Sequence, residues 1–172
     1  MKTIFPVIMV AAALSLSARA ADVTVKISDV HICCQSCEKA IDKIVAGVPG
    51  ATVAVDQDAG AVTLTAADTA TVQKAADALV AGGFYGKSSD PSIKINADTG
   101  AKDQKVQSLK IKGVHLCCGH CVKSLNEALA TVPGVTGNTA AKGAKTFEVT
   151  GDFNDKAVFD ALQKAGFTGK EE

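Results

Sequence analysis

Three features of the 172-residue sequence predict an α+β fold made of two tandem βαββαβ domains. The stretch HICCQSC at 31–37 returns as HLCCGHC at 115–121, a shift of 84 residues. Gly-Phe at 83–84 returns at 166–167, a shift of 83. Within each copy, strand-like and helix-like hydrophobic periodicities follow one another in the same order. The sequence therefore indicates a tandem duplication in which one residue was deleted.

The first two elements of each copy follow from hydrophobic spacing. A strand is predicted where apolar and polar residues alternate, and a helix where apolar residues recur at i, i+3, i+4 and i+7. Prolines at 49 and 133 end these helices. The apolar residues are Val23, Val25 and Ile27, then Ile41, Ile44, Val45 and Val48, with Leu109, Ile111, Leu125, Leu129 and Val132 in the second copy.

The remaining elements complete the motif. Two alternating runs around Asp-Ala-Gly at 58–60 predict a hairpin, and a second helix follows. Its expected cap is Asp68 or Thr69 in the first copy and Asp152 or Asn154 in the second. Each copy then ends in a short strand. This order is the ferredoxin-like motif, in which both helices cover one face of an antiparallel sheet.

The domain boundaries follow from composition. We expect one domain at 22–90, a polar linker at 91–104 and a second domain at 105–172. Domains of about 65 residues are small, but such domains can fold alone. Ile93 and Ile95 are expected to extend the last strand of the first domain.

Residues 1–20 are predicted to be a signal peptide. Lys2 precedes an apolar run, and Ala18-Arg19-Ala20 has the small-x-small pattern of a cleavage site. The run is short for a membrane span, and no second run could cross a bilayer. Cleavage after Ala20 implies a periplasmic or secreted protein that does not stay inserted in a membrane.

Composition excludes one class of function. The formal net charge is zero, and the only arginine lies in the predicted signal peptide, so nucleic-acid binding is not expected. No pairing of a nucleophile with a base indicates catalysis, so we do not expect an enzyme.

All six cysteines belong to the two repeated motifs. Exported proteins usually use cysteines for disulfides, but bridges within five residues would close almost no loop, so these cysteines indicate chemistry instead. Each Cys-x-x-Cys pair lies where a strand leads into a helix, and the free N–H groups of a helix start favour thiolate. Thiolates are soft ligands for Cu(I), Zn(II) and heavier ions.

These features together resemble a tandem of heavy-metal-associated domains, the family of copper chaperones, periplasmic mercuric-ion binding proteins and N-terminal modules of metal-transporting P-type ATPases. The resemblance covers both domains and implies that the Cys-x-x-Cys residues ligate the metal. It also implies a metal-transporting membrane protein or another metallochaperone as a partner. The implied ligands are Cys34, Cys37, Cys118 and Cys121.

The motif departs from the family pattern, Gly-Met-x-Cys-x-x-Cys, at three places. Ile32 and Leu116 replace the methionine, whereas a histidine replaces the glycine and an extra cysteine precedes the first ligand. A third thiolate favours trigonal Cu(I), and a histidine would complete the four ligands that Zn(II) prefers. Whether these residues ligate or only orient the loop stays open at this stage. They are Cys33, Cys117, His31 and His115.

The sequence thus predicts an exported, non-enzymatic protein that binds Cu(I) and buffers or delivers it. Zn(II) or a heavier ion such as Cd or Hg is the alternative cargo. A thiol–disulfide exchange protein that uses the Cys-x-x-Cys pairs is the alternative function, and an interaction repeat with an unused motif is the third. His120 has no counterpart in the first copy and is expected to be a solvated residue.

Overall fold

The first repeat is a four-stranded antiparallel sheet with two helices. A computed structural model describes residues 21–172 of the chain. The strand order in this sheet is β2-β3-β1-β4. Its elements are β1 (Val23–Ser28), α1 (Gln35–Ala46), β2 (Ala51–Asp56), β3 (Ala61–Ala66), α2 (Thr69–Ala81) and β4 (Lys87–Ser88).

The second repeat has the same architecture. Its strand order is β6-β7-β5-β8, which matches that of the first repeat strand for strand. The predicted α+β fold of two ferredoxin-like βαββαβ domains is therefore confirmed. The elements are β5 (Lys105–Lys112), α3 (Gly119–Ala130), β6 (Val135–Asn138), β7 (Thr146–Asn154), α4 (Asp155–Lys164) and β8 (Lys170–Glu171).

Each core lies between the helices and one face of the sheet. Alternation places Val25 and Ile27 on the inner face of β1, where they pair in register with Leu64 and Val62 of β3. The second repeat uses the same arrangement, because Leu109 pairs with Val149 and Ile111 with Phe147. The helices bury the predicted apolar stripe against this face, with Ile41 and Val45 fully buried in α1.

The second helix of each repeat begins at a polar cap. Asp68 accepts a hydrogen bond from the backbone N–H of Thr71 at 2.8 Å. Asn154 accepts one from Ala157 at 3.1 Å. These caps satisfy N–H groups that the helix itself leaves free, and they are among the candidates that the sequence offered.

The expected extension of the last strand of the first repeat is wrong. β4 ends at Ser88, and a turn follows in which Asp90 accepts hydrogen bonds from the backbone N–H of Ser92 and Ile93. Ile93 is buried in the core, 2% exposed, and the next residue, Lys94, exchanges two hydrogen bonds with Gln73 of α2. The alternating isoleucines therefore reflect docking of this segment on a helix, not pairing in a sheet.

The predicted linker is held by the second repeat as well. Asp155, 1% exposed, accepts hydrogen bonds from the backbone N–H of Lys102 at 2.8 Å and Gln104 at 2.9 Å. Glu171 donates its N–H to the carbonyl of Thr99. The segment between the sheets is thus bound to both repeats.

The predicted signal peptide, residues 1–20, lies outside the described residues. Among the helices of residues 21–172, none has the length and apolar character needed to span a bilayer.

Candidate metal centre

The cysteines lie at the start of the first helix of each repeat. Cys34 and Cys118 are the N-cap residues of α1 and α3, with extended backbone, and each is half-buried. Cys37 and Cys121 lie in the first turn of these helices and are fully buried, 0% exposed. The free N–H groups of both helix starts are therefore next to thiols, as the sequence predicted.

The two loops face one another, and their sulfur atoms form one cluster. Cys33 Sγ lies 3.2 Å from Cys118 Sγ and 3.4 Å from Cys121 Sγ, closer than the 3.8 Å to Cys37 in its own repeat. Cys117 Sγ lies 3.5 Å from Cys37 Sγ. All six cysteines are free thiols. We call this group, Cys33, Cys34, Cys37, Cys117, Cys118 and Cys121, the thiol cluster.

The segments that follow α2 and α4 join the repeats beside the thiol cluster. Phe84 and Phe167 meet in an antiparallel bridge. Tyr85 donates its backbone N–H to the carbonyl of Gly166 at 3.1 Å, and Thr168 donates its own to the carbonyl of Gly83 at 3.1 Å. Backbone pairing of equivalent segments thus holds the two cysteine loops face to face.

Glycine is required at this junction. Gly83 and Gly166 have φ values of +90° and +82°, a region that side chains disfavour. A Cβ on Gly83 would lie 2.6 Å from the backbone N of His115, and one on Gly166 would lie 2.7 Å from the carbonyl O of Asp29. In both cases the obstructed backbone belongs to the other repeat, so these glycines permit the close approach of the two loops.

The two motif histidines lie in the interface. His31 packs against Phe167 in a tilted arrangement with ring centroids 4.2 Å apart, and His115 stacks on Phe84 at 4.6 Å. Within residues 21–172, the buried Nε2 atoms of both histidines lack a hydrogen-bond partner. His31 also has a ring nitrogen within 4.8 Å of Cys33 and Cys121 Sγ, so it is placed to act as a ligand.

The thiols of the cluster differ strongly in acidity. Burial alone would raise the pKa of Cys34, but the nearby backbone N–H groups of Cys37 and Ser36 outweigh it and lower that pKa to about 6. Burial and the neighbouring thiols Cys118 and Cys121 raise the pKa of Cys33. The thiol of Cys37 holds the pKa of Cys121 well below its usual range. Crowded thiols cannot all ionise together unless a cation compensates the charge.

Burial also affects the histidine of the second repeat. It lowers the pKa of His115, which favours the neutral form of the ring. A neutral imidazole with a free buried nitrogen is the form that binds metals. The donor set of the cluster therefore suits a soft cation: six sulfur atoms, with imidazole nitrogen beside them.

The structure brings together the eight residues that the sequence singled out. The six cysteines form the cluster, and the histidines lie in the same interface. His120 is exposed and belongs to none of the groups of neighbouring donors. Phe84 and Phe167 are buried and form the wall of the site. The sequence feature that marks these two phenylalanines is the Gly-Phe pair that both repeats share.

Comparisons with known proteins give distant likenesses. No protein-family model and no curated protein matches the chain. A solved structure from work on "Crosstalk between Cu(I) and Zn(II) homeostasis" is 24% identical, covers 39% of this chain and all of its own, and has a TM-score of 0.34. The N-terminal soluble domains of Bacillus subtilis CopA are 16% identical, with 89% and 95% coverage and a TM-score of 0.31.

The first two RRM domains of the yeast poly(U) binding protein Pub1 are also similar, at 11% identity, 87% and 97% coverage and a TM-score of 0.28. These scores are too low to bear on function, so the site itself carries the interpretation. In element order and in the position of its Cys-x-x-Cys pairs, the chain is a tandem of two domains similar to heavy-metal-associated domains.

Proposed function

We propose that this protein is a metal-binding protein, not an enzyme, that takes up Cu(I) and buffers it or hands it on. The observation that carries the proposal is the gathering of all six cysteines into one cluster of free thiols. Thiolates select Cu(I) because both are soft, and the cluster offers three sulfur atoms in several places.

Exposure of part of the cluster supports transfer by ligand exchange. Cys34 and Cys118 are half-buried, whereas Cys37 and Cys121 are enclosed. A thiolate of an acceptor protein would approach from the open side and form one new Cu–S bond before an existing one breaks. Copper stays Cu(I) throughout, so no electron is transferred. The acceptor that fits this chemistry is a metal-transporting membrane protein or a metallochaperone with its own thiolates.

Export is the second part of the proposal. The predicted signal peptide at 1–20 would deliver the mature chain to the periplasm or the medium. Sequencing the N-terminus of the protein recovered outside the cytoplasm tests this directly. A new terminus at Ala21 is expected, and a protein retained in the cytoplasm with Met1 or Lys2 at its start would contradict export.

Zn(II) is the alternative cargo, because His31 near Cys33 and Cys121 could complete a four-ligand shell. Anaerobic competition against chelators for each metal, read by native mass spectrometry, separates the two. Cu(I) retained under conditions that strip Zn(II) supports the proposal. Retention of neither metal contradicts it.

Thiol–disulfide exchange is the second candidate function. It is favoured by one observation, the Cys34 thiol at a helix N-cap with a pKa of about 6. A protein that retains no metal but readily forms and exchanges a disulfide within each Cys-x-x-Cys pair would favour this alternative. A full count of free thiols and bound metal on the same sample decides between the two.

A further inference from the structure

Four triads of neighbouring sulfur atoms can be chosen in the thiol cluster so that no two of them share a pair of atoms. In three of them all sulfur atoms lie within 4.8 Å of one another. In a fourth, Cys33 Sγ lies 3.8 Å from Cys37 Sγ and 3.4 Å from Cys121 Sγ. The first three are Cys33-Cys34-Cys118, Cys34-Cys37-Cys117 and Cys117-Cys118-Cys121. Cys33, Cys118 and Cys121, at 3.2, 3.4 and 3.6 Å from one another, form a further triad outside this set.

Every cysteine of the cluster belongs to two of these four triads. A triad of sulfur atoms is a site for a three-coordinate Cu(I) ion, and a thiolate shared by two triads bridges two ions. Six thiolates that each bridge two ions supply twelve Cu–S bonds, which is three for each of four ions. This set of four triads has the connectivity of a closed tetranuclear Cu(I)–thiolate core.

We propose that the two repeats together form one polynuclear centre that takes four Cu(I) ions, in place of two separate sites. This inference rests on the proposed function, since it specifies how the cluster holds its metal. It also gives a role to Cys33 and Cys117, the cysteines that precede the Cys-x-x-Cys pairs. Three of the four triads draw sulfur from both repeats, and either Cys33 or Cys117 is a member of each triad.

Charge balance fits this composition. Four Cu(I) ions displace six thiol protons, so the core carries two negative charges, and neither copper nor sulfur changes its oxidation state. The N-termini of α1 and α3 both meet the cluster at Cys34 and Cys118. Each helix start carries roughly half a positive charge, so the pair offsets about half of the core's charge.

Apolar side chains cover part of such a core, whereas Cys34 and Cys118 stay half-buried on its open side. Ile32 and Leu116 are 6% and 4% exposed, below the two loops. Phe84 and Phe167 are 3% and 2% exposed and pack against the motif histidines. An apolar wall around bridged sulfur atoms slows exchange with solvent, as storage of Cu(I) requires.

The test is an anaerobic Cu(I) titration of the whole reduced protein, read by native mass spectrometry and X-ray absorption. The shared centre predicts that the four-copper form appears cooperatively and shows Cu–Cu scattering. Two coppers bound independently, without Cu–Cu scattering, would overturn the shared centre and leave the proposed function intact. A protein that retains no copper would overturn both.

Two cysteine variants make the test specific. Cys117→Ser and Cys33→Ser each remove one bridging thiol, so each is expected to abolish the four-copper form of the entire chain. His120→Ala, an exposed change in the first turn of α3, is the matched control and keeps four coppers. Circular dichroism checks that the variants fold. A four-copper form that survives in either serine variant would refute the shared centre.

Discussion

Replacing Asp155 by asparagine tests how firmly the linker is held to the second repeat. The carboxylate is 1% exposed, and it accepts hydrogen bonds from three backbone N–H groups. Oδ2 accepts from Lys102 at 2.8 Å, whereas Oδ1 accepts from Gln104 at 2.9 Å and Lys156 at 2.6 Å. Asparagine keeps one oxygen and turns an NH₂ group toward the N–H of a linker residue.

The expected loss follows from that geometry. One hydrogen bond to a charged group disappears, and two others lose their charge, so the free energy of unfolding should fall by about 2–3 kcal/mol. Burial alone would raise the pKa of Asp155, but the N–H groups of Lys102 and Gln104 outweigh it and hold the pKa below its usual range. The stabilisation is therefore present above about pH 4 and is lost as the pH falls through the lowered pKa.

Urea unfolding of the metal-free, reduced chain at pH 7 measures this loss. Asp98→Asn is the control, because that carboxylate forms an exposed ion pair with Lys170 and contributes less. The Asp155→Asn variant should also lose less stability than the native chain on acidification, since it lacks the titrating group. Equal unfolding midpoints for the two variants at pH 7 would refute the reasoning.

Four further predictions concern the site. Replacing both cysteines of the first Cys-x-x-Cys pair by serine should abolish the four-copper form and leave the circular dichroism spectrum unchanged; an unaltered metal count in mass spectrometry would exclude the pair from the site. Iodoacetamide at pH 7 should alkylate Cys34 before Cys33, because the pKa of Cys34 is about 6 and that of Cys33 is raised; peptide mapping that finds equal rates would contradict this. Gly166→Ala should weaken Cu(I) retention against a chelator more than Gly143→Ala, which has a similar φ but open space around its Cβ; equal retention would disprove the role of the junction. His31→Ala should alter the affinity for Cu(I) relative to Zn(II) but not the number of ions bound. Identical competition curves for the variant and the native protein would show that this side chain does not contribute to metal preference.

Much of each repeat could be predicted from the sequence because its signals are local. The alternation of Val25 and Ile27 fixes which face of β1 is buried, and the spacing of Ile41 and Val45 fixes the buried face of α1. The position of the cysteines at the helix start follows from the same two patterns. A duplicated sequence also lets each element be checked against its copy.

The contact between the repeats could not be predicted in this way, because it depends on the backbone of two distant segments. Nothing near Gly166 in the sequence indicates that its neighbour in space is the backbone of residues 29–31. Ile93 also depends on a contact that is distant in the sequence. Its alternation with polar residues indicated a strand, but the side chain packs in the core beneath the helices. Burial of Asp155 depends likewise on linker atoms some fifty residues earlier in the chain.

The junction beside the thiol cluster is built from equivalent parts of each repeat, since Phe84 meets His115 and Phe167 meets His31. Such a contact has the symmetry of a homodimer, yet here both halves belong to one chain. A covalent tether gives each half an effective concentration for the other of about millimolar, whatever the concentration of the protein. Assembly of the cluster is therefore independent of dilution, so the six thiols stay together however dilute the protein becomes.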